Sequence, residues 1–304
     1  MRHFLTITDL AELELRALLR RAAALKRRPG QARRVLAGKT IALVFQKPSM
    51  RTRVAFEVAV LQLGGAVISL GQDDIRLGER EPIKDVARVL SRYVDGIMVR
   101  TFAHADAEEF ARYARVPVVN GLSDLVHPCQ ALADVLTIQE ACGRLRGVRV
   151  AYIGDGNNVL HSLVQACAML GVSVIAATPA RHRPDADIWA WAARRAKRFG
   201  AHVRWEADPR RAVAGADIVY TDVWVSMGQE RQRLARLKAF RPYQVNRALL
   251  QRAARGARVM HCLPAHRGEE VTDETMESSR SVIIDQAENR LHAHKALLEF
   301  LFKR

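Results

Sequence analysis

The chain has 304 residues, 49% of them apolar, which is enough for one large or two medium domains with their own cores. No apolar stretch approaches the roughly 20 residues of a membrane span. A net charge of +16 raises a nucleic-acid partner, but only 6% of residues are aromatic, and none interleaves with the basic run 16–34 to stack bases.

The N-terminus enters a helical pattern at once and carries acidic residues, so it reads as neither a secretory signal nor a transit peptide. In the pattern over 8–27, Leu15, Leu18, Leu19 and Leu25 interleave with Arg20, Arg21, Lys26 and Arg27, as on the solvated face of a core-packed helix. The run Thr40–Phe45 is a strand, Lys47-Pro48 a break, and Ser49 the start of a helix over 51–63, with Val54, Val58 and Leu61 recurring on one face. Ser49 then falls near the N-cap, with Arg51, Thr52 and Arg53 in the first turn. Free N–H groups, two hydroxyls, the positive end of the helix dipole and guanidinium groups converge there. Cations in a first turn are unfavourable by a few tenths to about 1 kcal/mol, so two arginines make sense with an anion, such as a phosphate, between them. Surface arginines in an arginine-rich chain are the plainer alternative.

Further strands are expected at 66–70, 96–100, 116–119, 148–153, 172–177, 202–205, 217–220, 257–262 and 281–284. Helical patterns at 82–93, 106–115, 129–141, 158–170, 186–199 and 246–254 alternate with them, and a last helix runs over 286–302. Ten strands in such alternation predict an α/β chain of βαβ units in two domains, each with a central parallel sheet flanked by helices. The expected division is 1–141 and 142–285, with the C-terminal helix of about 286–304 packing back onto the first domain.

Four motifs remain. His127-Pro128-Cys129-Gln130 opens a helix with proline well placed, and His127 and Gln130 can face one side, although a histidine there can be a simple cap. Gly154-Asp-Gly-Asn-Asn158 follows a strand, but Val159 replaces the third glycine of a dinucleotide fingerprint, and the next strand ends in Thr-Pro without an acidic residue. NAD binding is therefore not expected. The glycines would let backbone approach a smaller ligand with Asn158 as a polar contact, or form a plain turn with an Asn cap. His261-Cys262-Leu263-Pro264 ends an apolar run, which places Cys262 at the C-terminal end of an expected central strand. Asp222-Val-Trp-Val-Ser-Met-Gly228 follows another strand. No His/Cys/carboxylate set has zinc-like spacing, and there is no nucleophile elbow. The cysteines (Cys129, Cys142, Cys167, Cys262) form no CxxC pair and fit a reducing cytoplasm.

Together with Asp85–Leu90, Asn120–Asp124 and Glu288-Asn-Arg290, these segments occur in the order found in the aspartate/ornithine carbamoyltransferase family, which the chain resembles end to end. The Ser226-Met227-Gly228 loop looks like the ornithine type. The resemblance implies carbamoyl phosphate on the first domain, L-ornithine on the second, the active site in the interdomain cleft, and no metal or organic cofactor. It implies that Ser49, Met50, Arg51 and Thr52 hold phosphate, and that Arg100, His127 and Gln130 hold the carbamoyl end. Cys262, Leu263 and Arg290 would complete that pocket, and Asn158, Asp222, Ser226 and Met227 would contact ornithine. Arg51, Arg100, His127, Cys262 and Asp222 are the expected catalytic groups. The family also implies a homotrimer or a multiple of trimers, while the composition gives no expectation of a membrane or a specific nucleic-acid partner. Three positions depart from the pattern: Met50 replaces a common threonine, Arg76 stands where Gln or His reaches a neighbouring subunit, and Arg80 replaces a glycine. A carbamoyltransferase for another amine, or a basic nucleic-acid-binding protein on this scaffold, are the competing readings.

Overall fold

The computed structural model describes residues 1–28, 30 and 32–303; Arg304, at the end of the expected last helix, lies outside them. The chain forms two compact units, Met1–Ala133 with Glu288–Arg304, and Asp134–Ala287.

The first unit is built on four parallel strands, β1 (Thr40–Phe45), β2 (Ala66–Leu70), β3 (Gly96–Arg100) and β4 (Val118–Leu122), in the order β2-β1-β3-β4. β3 is buried throughout and β1 almost so, as expected of continuous apolar runs in a parallel sheet. Chain order reverses between β1 and β3, and a ligand of an open α/β sheet binds beyond the C-terminal strand ends at such a point. Phe45 pairs with Arg100 there. The helix Glu12–Arg27 buries Leu15, Leu18, Leu19, Ala22 and Leu25. Its basic side does more than meet solvent, since Arg21 donates to Glu299 at 2.5 and 2.7 Å and Lys26 to Asn289 at 2.8 Å, both on the last helix, Ile283–Phe302.

Two local expectations fail in this unit. Val54 and Leu61 are exposed, while Phe56, Ala59 and Val60 of the same helix, Met50–Gln62, are buried, so the periodic stripe lies on the outer face. β4 lies at 118–122 rather than 116–119, starting only after Pro117, which lacks the N–H a ladder needs.

The second unit has five parallel strands, β5 (Arg149–Ile153), β6 (Ser173–Ala177), β7 (Val203–Glu206), β8 (Ile218–Thr221) and β9 (Arg258–His261), in the order β7-β6-β5-β8-β9. Its reversal point lies between β5 and β8. β9 is an edge strand, not a central one. Its residues are nonetheless mostly buried, which explains why they read as central. The tenth strand, 281–284, is not formed: Ser281 makes one isolated bridge to Val259 and the helix begins at Ile283. Three apolar residues, Val282, Ile283 and Ile284, are too few to separate the two periods. The expected helix over 246–254 shrinks to Arg247–Leu250, capped by Asn246, and a helix Arg233–Phe240 appears where none was expected. No helix among the described residues is long and apolar enough to cross a membrane.

Candidate active site

In the first unit the polar groups gather beyond the ends of β1, β3 and β4. Ser49 has extended backbone and caps Met50–Gln62, its hydroxyl accepting from the Thr52 N–H at 3.3 Å. The Thr52 side chain is fully buried. Its hydroxyl accepts from the Arg290 guanidinium at 2.6 Å and, more weakly, from Arg100 at 3.5 Å. Two buried guanidinium groups thus meet the N-terminal end of a helix, where the dipole and free N–H groups already favour an anion. Gln46 fixes the neighbouring strand ends by accepting from the Phe102 N–H at 2.8 Å and donating to the Leu77 carbonyl at 3.0 Å. Lys47 is buried over the Phe102 ring, and burial together with Arg100 lowers its pKa.

His127 immediately precedes the helix Pro128–Cys142 and is buried, as is Gln130. Burial, followed by the charges of Arg290, Arg100 and His294, holds His127 well below the usual histidine range. His294 is lowered likewise, by burial and then Arg290, and stacks on Phe56 at 3.9 Å. Imidazoles that stay neutral beside buried guanidiniums are what a strongly positive pocket produces.

Arg53 does not join this cradle. It turns along the surface to pair with Glu57 at 3.0 Å, so the expected pair of first-turn arginines reduces to Arg51, which is half-buried. The Met50 side chain is exposed, leaving its backbone as the group nearest the helix end. Arg76 is exposed in a left-handed position at φ 39° and lines a hollow of about 450 Å³ together with Asp73, Glu79 and Arg80.

In the second unit, three strand ends meet at Asp222. The thiol of Cys262, just past β9, donates to Asp222 Oδ1 at 2.9 Å. The Asn157 amide, just past β5, donates to Asp222 Oδ2 at 2.7 Å. Asn157 Oδ1 in turn caps the helix Asn158–Leu170 and accepts from the Tyr152 hydroxyl. Asn157 is therefore the cap, and Asn158 is the first helical residue, half-buried. Gly156 has a different purpose from the one read in the sequence. A Cβ there would lie 2.3 Å from the Pro184 nitrogen, so the glycine admits a neighbouring backbone segment rather than a ligand.

Ser226 and Met227 sit in the loop after β8, and Met227 is exposed. The root of that loop is held by Arg236, which donates to the Trp224 carbonyl at 2.6 Å and pairs with Asp155. Burial pushes the Asp155 carboxyl up to about 6 against the pull of Arg236. Leu263 is left-handed at φ 62°, and its N–H donates to His261 Nδ1 at 2.8 Å. His261 Nε2 faces Glu270 at 3.0 Å, so the proton belongs on Nε2. Spacing along the chain hid two ligand-like groups that folding assembles: Asp222, His261 and Cys262, and separately His266, Glu269 and Glu270. In the first, both histidine nitrogens are already engaged.

Arg236 and His294 went unread in the sequence. Lys47 was read only as part of a break, and of the two readings of the glycine turn the one with an Asn cap is met at Asn157. Arg236 and His294 sit on helices with no local signal.

The chain is similar to known proteins over nearly its whole length. The carbamoyl-P binding domain of aspartate/ornithine carbamoyltransferase matches residues 2–140, and the Asp/Orn binding domain matches 146–301. An ornithine carbamoyltransferase of Gloeobacter violaceus is 54% identical over 297 residues, 98% of this chain and 94% of the relative, and one of Thermococcus kodakarensis is 52% identical over 299 residues, 98% and 95%. The solved ornithine carbamoyltransferase of Pyrococcus furiosus superposes with a TM-score of 0.96 at 51% identity, covering 99% of this chain and 97% of that one. With both domain types matched in order across nearly every residue, the chain belongs to the aspartate/ornithine carbamoyltransferase family.

Proposed function

We propose that this protein transfers the carbamoyl group of carbamoyl phosphate to the δ-amine of L-ornithine, giving L-citrulline and phosphate. The observation that carries the reading is the Thr52 hydroxyl, buried at a helix N-terminus and accepting from both Arg290 and Arg100. In this reading Ser49, Met50, Arg51 and Thr52 bind the phosphate. Arg100, His127 and Gln130 bind the carbamoyl end, Arg290, Cys262 and Leu263 complete the pocket, and Arg76 adds a further cation. The domain bounds of 1–141 with 286–304, and 142–285, follow the same division of substrates.

The amine of ornithine has an ordinary pKa near that of lysine, about 10.4, and must be neutral to attack. A pocket rich in guanidinium groups disfavours its ammonium form. As nitrogen adds to the carbamoyl carbon, charge grows on the carbonyl oxygen and then on the departing phosphate. Arg51, Arg100 and a neutral His127 acting as N–H donor stabilise both, each such donor contributing on the order of 2.7–4 kcal/mol. Asp222, with Cys262 donating to it, binds the α-amino group and orients the nucleophile; Asn158, Ser226 and Met227 supply the remaining contacts.

A homotrimer or multiple of trimers fits the exposed apolar stripe of Met50, Val54 and Leu61 beside the edge strand β2. A cytoplasmic setting fits four free thiols. The test is citrulline formation from carbamoyl phosphate with L-ornithine, run beside putrescine, L-aspartate and N-acetylornithine. Strong preference for ornithine supports the whole reading. Activity with another amine alone keeps the chemistry and discards the acceptor, and inactivity with all four from folded protein discards both.

A further inference from the structure

The segment following Leu263 carries a group of ligand atoms outside the residues assigned to either substrate. His266, Glu269 and Glu270 each offer one ligand atom within 4.8 Å of the others; His266 Nδ1 and Glu269 Oε2 lie 3.8 Å apart, and Glu270 Oε2 is the third residue's unbonded oxygen. All three atoms are buried, and none has a hydrogen-bond partner among the described residues. The second oxygen of each carboxylate is already committed. Glu269 Oε1 accepts from Arg233, and Glu270 Oε1 accepts from the His266 N–H at 2.6 Å and faces His261 Nε2 at 3.0 Å.

Glu270 is the decisive residue. Its side chain is 0% exposed, yet Oε2 meets no donor. A buried carboxylate oxygen in that position is unfavourable unless a cation or proton supplies the missing partner. The backbone around it is set in advance. Gln244 donates to the carbonyls of Gly268 and Glu269 at 2.9 Å each, and the Val245 N–H donates to the Glu270 carbonyl at 2.8 Å. A proton on His266 Nδ1 would serve one oxygen well and leave the other poorly paired. A metal ion would use all three atoms.

We propose that His266 Nδ1, Glu269 Oε2 and Glu270 Oε2 form a binding site for a first-row divalent metal ion, with water completing its coordination. One imidazole and two carboxylates, without thiolate, suit ions such as Mn²⁺, Co²⁺ or Zn²⁺. Metal–ligand distances of about 2.0–2.2 Å would bring His266 Nδ1 and Glu269 Oε2, now 3.8 Å apart, closer by up to about 1 Å, within the reach of side-chain adjustment. Because Glu270 also meets His261, whose Nδ1 accepts from the Leu263 N–H, the ion would brace the whole 261–270 segment.

The test is titration of metal-stripped, full-length protein with Co²⁺, followed by calorimetry and absorption spectroscopy. The expected result is one ion per chain with ligand-field bands and no thiolate-to-metal charge transfer. His266→Ala and Glu269→Gln should each weaken binding about tenfold or more, while melting cooperatively as folded proteins. Cys262→Ala should leave the affinity unchanged, which separates this site from the Asp222–His261–Cys262 group. No binding at millimolar Co²⁺, a charge-transfer band that Cys262→Ala abolishes, or wild-type affinity in both His266→Ala and Glu269→Gln would each overturn the proposal.

Discussion

The Thr52 hydroxyl accepts a hydrogen bond from the Arg290 guanidinium at 2.6 Å, although the two residues stand 238 positions apart. The contact ties the last helix to the first turn of Met50–Gln62, and both partners are buried. Thr52→Val keeps the shape and removes an acceptor from a buried cation, which should cost about 1–3 kcal/mol of stability. It should also raise the KM for carbamoyl phosphate more than that for ornithine. Thr52→Ser should restore most of both. Urea unfolding and steady-state kinetics on the three proteins decide it, and a valine variant as stable and active as wild type would refute the role of the hydroxyl.

Arg51 and Arg53 should separate cleanly. Arg53 is on the surface and occupied with Glu57, an i,i+4 pair of the kind that contributes only about 0.3–0.5 kcal/mol. Arg51→Ala should fold normally and lose about 100- to 1,000-fold in kcat/KM, the scale of a lost preorganised donor. Arg53→Ala should stay near the wild-type rate. Equal losses from the two would mean that the phosphate site reaches the outer face of the helix.

The Cys262 thiol is one of two donors that the structure places on Asp222, the other being Asn157. Hydrogen bonds to charged groups are worth about 1.5–3 kcal/mol, so Cys262→Ala should lower kcat/KM for ornithine by roughly 10- to 150-fold. Cys262→Ser, which retains a donor, should recover part of that. Asn157→Ala should act in the same direction. Kinetics with ornithine varied at saturating carbamoyl phosphate provide the check.

Local patterns were enough to reveal the architecture. Nine strand positions follow from short β-branched runs set between helical periods. The cap at Ser49 and the proline opening Pro128–Cys142 are visible because their chemistry depends on immediate neighbours. Errors arise where the deciding partner is distant. Val54 and Leu61 show the helical period but not which side faces the sheet. β9 is as apolar as a central strand because other segments cover it. Gly156 is explained only by a backbone segment some 26 residues onward, and the His266 group only by a fold that closes Glu270 against His261.

The buried imidazoles set a pH dependence of stability. His127 and His294 both have folded pKa values well below that of an ordinary histidine, chiefly through burial and then through Arg290. Above about pH 6.5 they are neutral in folded and unfolded chains alike and contribute no slope. Below it, the unfolded chain takes up protons that the folded chain refuses, so stability falls with decreasing pH by up to about 1.4 kcal/mol per unit for each histidine. The Asp155 carboxyl, raised to about 6, works in the opposite sense between its unfolded value and 6. The difference curve between wild type and His294→Gln isolates one histidine: the variant should lose less stability than wild type between pH 7 and 5. Parallel curves would show that His294 titrates normally in the folded protein.

Gly156 offers the sharpest test of the second unit. A Cβ there would lie 2.3 Å from the Pro184 nitrogen, 2.4 Å from the Arg183 carbonyl carbon and 2.6 Å from the His182 oxygen, all backbone atoms that cannot swing aside. The Gly156 N–H also donates to the His182 carbonyl at 3.0 Å, so the two segments must separate if alanine is to fit. Overpacking of this kind typically costs about 1–3 kcal/mol, and an immovable neighbour places the cost at the upper end. Any displacement passes directly to Asn157, whose amide holds Asp222 at 2.7 Å, so the KM for ornithine should rise with the loss of stability. Gly256→Ala is the control, because a Cβ at Gly256 meets nothing within 4 Å, and it should change stability by less than about 0.5 kcal/mol. Urea midpoints and ornithine kinetics on both variants would show whether the close approach at Gly156 holds the Asp222 side of the site in place. Two equally mild variants would mean that the 182–184 segment yields freely and that Asn157 is positioned by its cap alone.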